Sequence, residues 1–213
     1  MTDKEYFFIH VSKNAGTSVE EFFKGEGIFI GRYDPFYLQH NLHWHTSPSA
    51  LHPHQKDLFQ QEISAKKTFI IHRSPFDRVL SEMNCKWGNP NKFVIQNSRK
   101  KFNKNLRQLL ICVLSRRFHN KLYTLLIKFN AIGRAIGDHW IPQSHYLKYF
   151  SSRSHPIKVI PFEFLNQGVC ELTGKQTVIP HVNEQLSSFK HDLSAISTLN
   201  KVLIRIVYAD DLI

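Results

Sequence analysis

Residues 12 to 18, Ser12-Lys13-Asn14-Ala15-Gly16-Thr17-Ser18, place a lysine, a glycine and hydroxyl side chains in one short stretch. An apolar run, Tyr6 to Val11, precedes them, and a helix-like pattern follows. A loop between a buried strand and a helix start is suited to anions. The first helix N–H groups have no partner within the helix, and the dipole adds partial positive charge there. Gly16 permits close backbone approach, Thr17 and Ser18 add donors, and Lys13 adds a full charge. The pattern departs from G-x-x-x-x-G-K-[ST], because no lysine follows Gly16. The plainer alternative is a strand–turn–helix in which Thr17 or Ser18 only caps the helix.

A second stretch, residues 69 to 85, repeats the design. Arg73 ends an apolar run, Pro75 opens a helical pattern, and Arg78 and Ser81 lie on that pattern. Arg73 can grip a phosphate through paired donors, with the Ser81 hydroxyl directed to the same space. The alternative is surface pairing of Arg73 and Arg78 with Asp77 or Glu82. Two anion sites at neighbouring strand ends suit a ligand with two separated phosphate groups.

Taken in order, these stretches resemble the two cofactor motifs of the sulfotransferases that use 3'-phosphoadenosine 5'-phosphosulfate. The likeness is strongest to the branch containing many carbohydrate O-sulfotransferases. That family's H-x-P-K-x-A/G-G-T-S pattern is similar to His10 through Ser18, and its R-x-P-x-x-R-x-x-S pattern is similar to Arg73, Pro75, Arg78 and Ser81. Weaker echoes follow at His139-Trp140-Ile141-Pro142-Gln143, Pro180-His181-Val182-Asn183 and Tyr208-Ala209-Asp210-Asp211. Ser12 stands where the family usually has Pro, and Asn14 where Thr is common, but the lysine is kept.

The resemblance implies that Lys13, Asn14, Ala15, Gly16, Thr17 and Ser18 hold the 5'-phosphosulfate, and that Arg73 and Ser81 hold the 3'-phosphate. It implies sulfuryl transfer to an acceptor hydroxyl, releasing adenosine 3',5'-bisphosphate, with Lys13 stabilising charge on the leaving phosphate. The base in related enzymes is a His or Glu between the two motifs. This chain has His40, His43, His45, His52 and His54 there. Histidine titrates near neutrality, which suits a base. His45 is favoured, because His45-Thr46-Ser47-Pro48 and Leu51 look like a similar family segment; His43 is second. His43-Trp44-His45 and His52-Pro53-His54 are also H-x-H pairs of the kind zinc uses. No cysteine and few carboxylates accompany them, and Lys13 supplies the cation, so no metal is expected.

The elements that must position these residues alternate. Strand patterns at Tyr6–Val11, Ile28–Ile30, Thr68–His72 and Ile157–Ile160 alternate with helical patterns. These follow Ser18, run from Phe76 to Cys85 and from 105 to 132, and cover 194 to 207. Gly25 and Gly27 end the first helix, and Glu20 and Glu21 suit its positive end. The alternation predicts an α/β fold: one domain over 1–213, with a central, mainly parallel sheet flanked by helices and a phosphate-loop-like strand–loop–helix site for a nucleotide.

Size and charge agree with this. A chain of 213 residues can bury one substantial core. The formal charge is +11, yet Met83 to Gly137 holds 12 Lys or Arg and no Asp or Glu, leaving 16 bases against 17 acids elsewhere. The basic helical segment around 99–137 therefore faces an anion: an acidic glycan acceptor, or a peripheral membrane surface through 99–134. Two rivals to the enzyme reading follow from these features. One is a nucleotide-dependent phosphotransferase, which lacks here a clear carboxylate site for magnesium. The other is a non-catalytic basic module for nucleic acid or membrane, which needs neither anion motif, and nucleic acid is not the expected partner. Cys85, Cys112 and Cys170 are scattered and read as reduced thiols. No signal pattern precedes the first strand and no apolar run reaches the ~18 residues of a membrane span, so a cytoplasmic location is expected.

Overall fold

The computed structural model describes residues 5–45, 51–84, 99–118, 140–151, 155–176, 178–180 and 192–212. The chain gathers into two compact units, each built from two separated stretches: 1–73 with 143–184, and 74–142 with 185–213.

The first unit is a three-stranded parallel sheet in the order β1 (Tyr6–Ile9), β2 (Lys67–His72), β3 (Lys158–Pro161). Tyr6 pairs with Lys67 and Ile9 with Ile70, while Phe69 pairs with Lys158 and His72 with Pro161. Because all three strands run the same way, their C-terminal ends share one edge. Side chains alternate across the sheet. Phe8, Phe69 and Ile160 face helix α1 (Gly16–Gly25) through Val19 and Phe23, with Val169 from a later helix in the same cluster. Phe7 points to the opposite face. It meets Phe36 and Tyr37 of α2 (Pro35–Gln39) and Phe59 of α3 (Pro53–Ala65), at ring distances between 5.7 and 6.4 Å. Asp34 caps α2 by accepting from the Phe36 N–H, and Pro35 opens it.

The second unit is helical. It contains α4 (Pro75–Met83), α5 (Arg99–Phe118) and, after the first unit's α6 (Gln143–Ser151) and α7 (Leu165–Thr173), the C-terminal α8 (Thr198–Val207). Val79 and Met83 of α4, Phe102, Leu106, Leu109, Leu110 and Val113 of α5, and Ile204 and Val207 of α8 form its core with Trp140 and Tyr208. A buried amide network ties α5 to α8. Asn103 donates to the Ala195 carbonyl and accepts from the Ser197 N–H, while Asn200 donates to Asn103 O and Oδ1 at 2.9 Å each.

Several sequence expectations change here. Ile28–Ile30 is not a strand: Ile30 is buried in the core, but the segment pairs with no neighbour. The basic helix begins at Arg99, earlier than 105, and 119–132 lies outside the described residues. Its apolar side is the second unit's own core, and Lys100, Lys101, Lys104 and Arg107 occupy the exposed side. Phe102, Leu106, Leu109, Leu110 and Val113 are covered by the second unit itself, while Ile111 is exposed. Among the described residues, no helix is long and apolar enough to cross a membrane.

Candidate functional site

The turn after β1 is held in an unusual backbone shape. Lys13 (φ 67°) and Ala15 (φ 60°) both adopt the left-handed conformation, which costs a residue with a Cβ about 1–2 kcal/mol. Side-chain bonds from the intervening residue help hold it. Asn14 is buried, and its amide donates to the Ile71 carbonyl at 2.6 Å and to Gln143 Oε1. Ala15, not Thr17 or Ser18, is the N-cap of α1, and no hydroxyl caps that helix. Thr17 and Ser18 lie inside its first turn, which opens at Gly16.

Gly16 packs directly against a buried imidazole. A Cβ added there would lie 2.1 Å from His10 Nε2. One helical turn on, Glu20 faces the same ring, because positions four apart share a helix face. His10 Nδ1 lies 2.6 Å from Glu20 Oε1. Glu20 accepts two further bonds, from Arg32 Nε (2.6 Å) and the Arg32 backbone N–H (2.9 Å). Gly31 leaves room for this carboxylate; a Cβ there would sit 2.0 Å from Glu20 Oε1. Burial disfavours ionising Glu20, yet the hydrogen bond from His10 and the two Arg32 bonds outweigh it and hold the carboxyl below its ordinary range. On the other side of His10, its Nε2 lies 3.1 Å from His45 Nε2. The result is a continuous line, Arg32–Glu20–His10–His45. The His45 backbone N–H also donates to His43 Nδ1 at 3.2 Å, which shapes the loop carrying both rings.

Arg73 follows β2 and reaches back to the β1 turn. Its Nη1 donates to the Lys13 carbonyl at 2.9 Å, and its guanidinium lies 4.4 Å from the centre of the Phe162 ring. Gln143 clamps its backbone, accepting from Arg73 N at 2.9 Å and donating to Arg73 O at 2.7 Å. Parallel pairing makes this meeting possible: β1 and β2 end side by side, so residues 60 apart in sequence touch.

Lys13, Ala15, Gly16, Arg73 and His45 are thus gathered at one edge of the first unit's sheet. Asn14 is there too, but its side-chain amide is committed to Ile71 and Gln143. Ser81 lies on α4 in the second unit, partly buried. Its neighbour Arg78 is buried there. It donates to the Ile141 carbonyl at 2.6 Å, lies 3.9 Å from Asp211 and stacks over Tyr208, so it is an internal strut and not a surface partner of Asp77. Among the other histidines, His40 packs on Phe36, His52 caps α3, and His54 is exposed. His139, His181 and Asn183 lie outside the described residues.

Sequence reasoning missed the roles of His10, Glu20 and Gln143. Glu20, expected to serve the positive end of the α1 dipole, is buried and turned to His10. The available signal was its spacing of four from Gly16, on the face that α1 turns toward β1. Among the described residues, no group of three or more His, Cys, Asp or Glu side chains could hold a metal ion. A shallow depression of about 830 Å³ lies at the opposite, N-terminal edge of the sheet. Its lysines Lys67 and Lys158 are paired with Glu5 and Glu171, and it lacks this convergence of groups.

Comparison of the chain with protein-family models, with curated proteins and with solved structures finds no significant match.

Proposed function

We propose that this protein is a sulfotransferase that moves the sulfuryl group of 3'-phosphoadenosine 5'-phosphosulfate to an acceptor hydroxyl on a carbohydrate. The observation that carries the reading is the convergence of Lys13, Gly16, Arg73 and His45 at the carboxyl edge of a parallel sheet. Such edges are where open α/β sheets bind ligands. In this reading the α1 start, Lys13, Thr17 and Ser18 receive the 5'-phosphosulfate as a phosphate-loop-like site, and Arg73 receives the 3'-phosphate. Ser81 is assigned to the 3'-phosphate on the motif alone.

The transfer is an in-line displacement. The acceptor oxygen bonds to sulfur as the bond from sulfur to the 5'-phosphate oxygen breaks, and that oxygen keeps the electron pair. Lys13 stabilises the charge developing there, and His45 takes the acceptor proton. The net basic charge of the chain favours an anionic glycan as acceptor.

The experiment is thermal stabilisation by adenosine 3',5'-bisphosphate, by ATP with magnesium and by an oligonucleotide, in wild type and Lys13→Ala. It is followed by labelled-sulfate transfer across a panel of glycans, phenols and alcohols. The reading expects a shift with the bisphosphate that Lys13→Ala abolishes, and transfer that His45→Ala abolishes while binding survives. A shift with ATP alone refutes it in favour of a phosphotransferase, and a shift with the oligonucleotide alone in favour of a basic binding module.

A further inference from the structure

We infer that His10 is a positioning residue: its Nε2 accepts the His45 Nε2–H, which puts the basic lone pair of His45 on Nδ1. The inference rests on His45 being the base of the proposed transfer. Two imidazole nitrogens 3.1 Å apart need one proton between them, so one ring donates and the other accepts. The other side of His10 decides which. Glu20 is an ionised carboxylate and only accepts, so His10 Nδ1 carries a proton.

Charge balance then settles the state of His10 Nε2. The Glu20 carboxylate is already matched by the Arg32 guanidinium, at 2.6 Å. A second proton on His10 would leave an unmatched positive charge in a buried ring. That ring also packs against Gly16, the first residue of α1, where the helix dipole is positive. A neutral imidazole at a helix N-terminus meets both constraints. Its Nε2 is then an acceptor, and the shared proton belongs to His45.

The consequence is a two-ring relay. When the acceptor hydroxyl attacks sulfur, its proton goes to His45 Nδ1. The imidazolium so formed keeps its Nε2–H directed at His10, whose own tautomer is held by Glu20. His10 therefore does for His45 what a carboxylate does in a hydrolase triad, orienting the ring and stabilising its charged form. It touches neither donor nor acceptor.

The test uses the full chain with ¹⁵N-labelled histidine rings. Two-bond ¹H–¹⁵N correlation spectra are recorded on the neutral imidazoles, assigned with His10→Asn and His45→Asn. The expected result is Nδ1–H on His10 and Nε2–H on His45. His45 with its proton on Nδ1 overturns the inference, whatever the activity. A second measurement follows turnover in His10→Asn. A fall of about 10²-fold or more in kcat is expected, on the scale of a mispositioned base, with bisphosphate affinity within about threefold of wild type. An unchanged kcat overturns the positioning role. If wild type transfers sulfate to no acceptor and binds no bisphosphate, the functional reading falls, and the ring tautomers still decide whether His10 orients His45.

Discussion

Replacing Glu20 with Gln is the sharpest probe of the site, because it changes one charge and almost no volume. The side chain is fully buried and accepts three bonds, two from the Arg32 side chain and backbone and one from His10. In Gln, one terminus becomes an NH₂ donor. It must then face either the His10 Nδ1–H or the Arg32 Nε–H, and a donor meets a donor. Breaking a buried pair by removing one charge costs about 3–5 kcal/mol. The Arg32 side chain is 28% exposed, so water recovers part of its loss, and Gln keeps one acceptor. About 3 kcal/mol is therefore expected at neutral pH. With a urea slope of about 2 kcal/mol/M, the unfolding midpoint falls by about 1.5 M.

The pH dependence gives the sign check. The Glu20 carboxyl ionises below its ordinary value in the folded chain. Its contribution is thus fully present above the unfolded value of about 4.3 and is lost as pH falls through the lower folded value. The stability gap between wild type and Glu20→Gln should stay full above about pH 4.3 and shrink only as pH falls below it, through the lower folded value. Urea titrations followed by tryptophan fluorescence at pH 7 and at acid pH measure both effects. A midpoint shift under about 0.3 M at pH 7 refutes the buried-carboxylate argument.

Other variants test the supports separately. Gly16→Ala places a methyl 2.1 Å from His10 Nε2, on a ring that Glu20 holds in place, so overpacking of about 1–3 kcal/mol is expected. A thermal melt like that of wild type would show that the ring can move aside. Asn200→Ala removes two buried bonds to Asn103 and should cost about 1–3 kcal/mol in urea unfolding. A midpoint like that of wild type would show that the amide network adds no stability to the second unit.

The strands and the first helix were legible because their signals are local. Tyr6–Ile9 and Lys67–His72 are runs of aromatic and β-branched residues, and Gly25 ends α1 where the pattern stops. Helices α2, α3, α6 and α7 were not read: α2 spans only five residues, and α3 buries only Phe59 and Ile63 of its thirteen. Ile28–Ile30 looked like a strand from its side chains, but strand formation needs a neighbour with open hydrogen bonds, which composition does not report.

The sequence by itself determined the chemistry on offer: a lysine and glycine turn, an arginine after a second strand, and a cluster of histidines between them. Residue types and spacing along the chain are enough for that. Only the tertiary structure decided which of those groups meet. Parallel pairing of β1 with β2 brings Arg73 onto the Lys13 carbonyl, and the helical repeat of α1 turns Glu20 inward to His10. Hydrogen bonds of this kind depend on distances of about 3 Å, set by the packing of whole elements, and no local pattern encodes them.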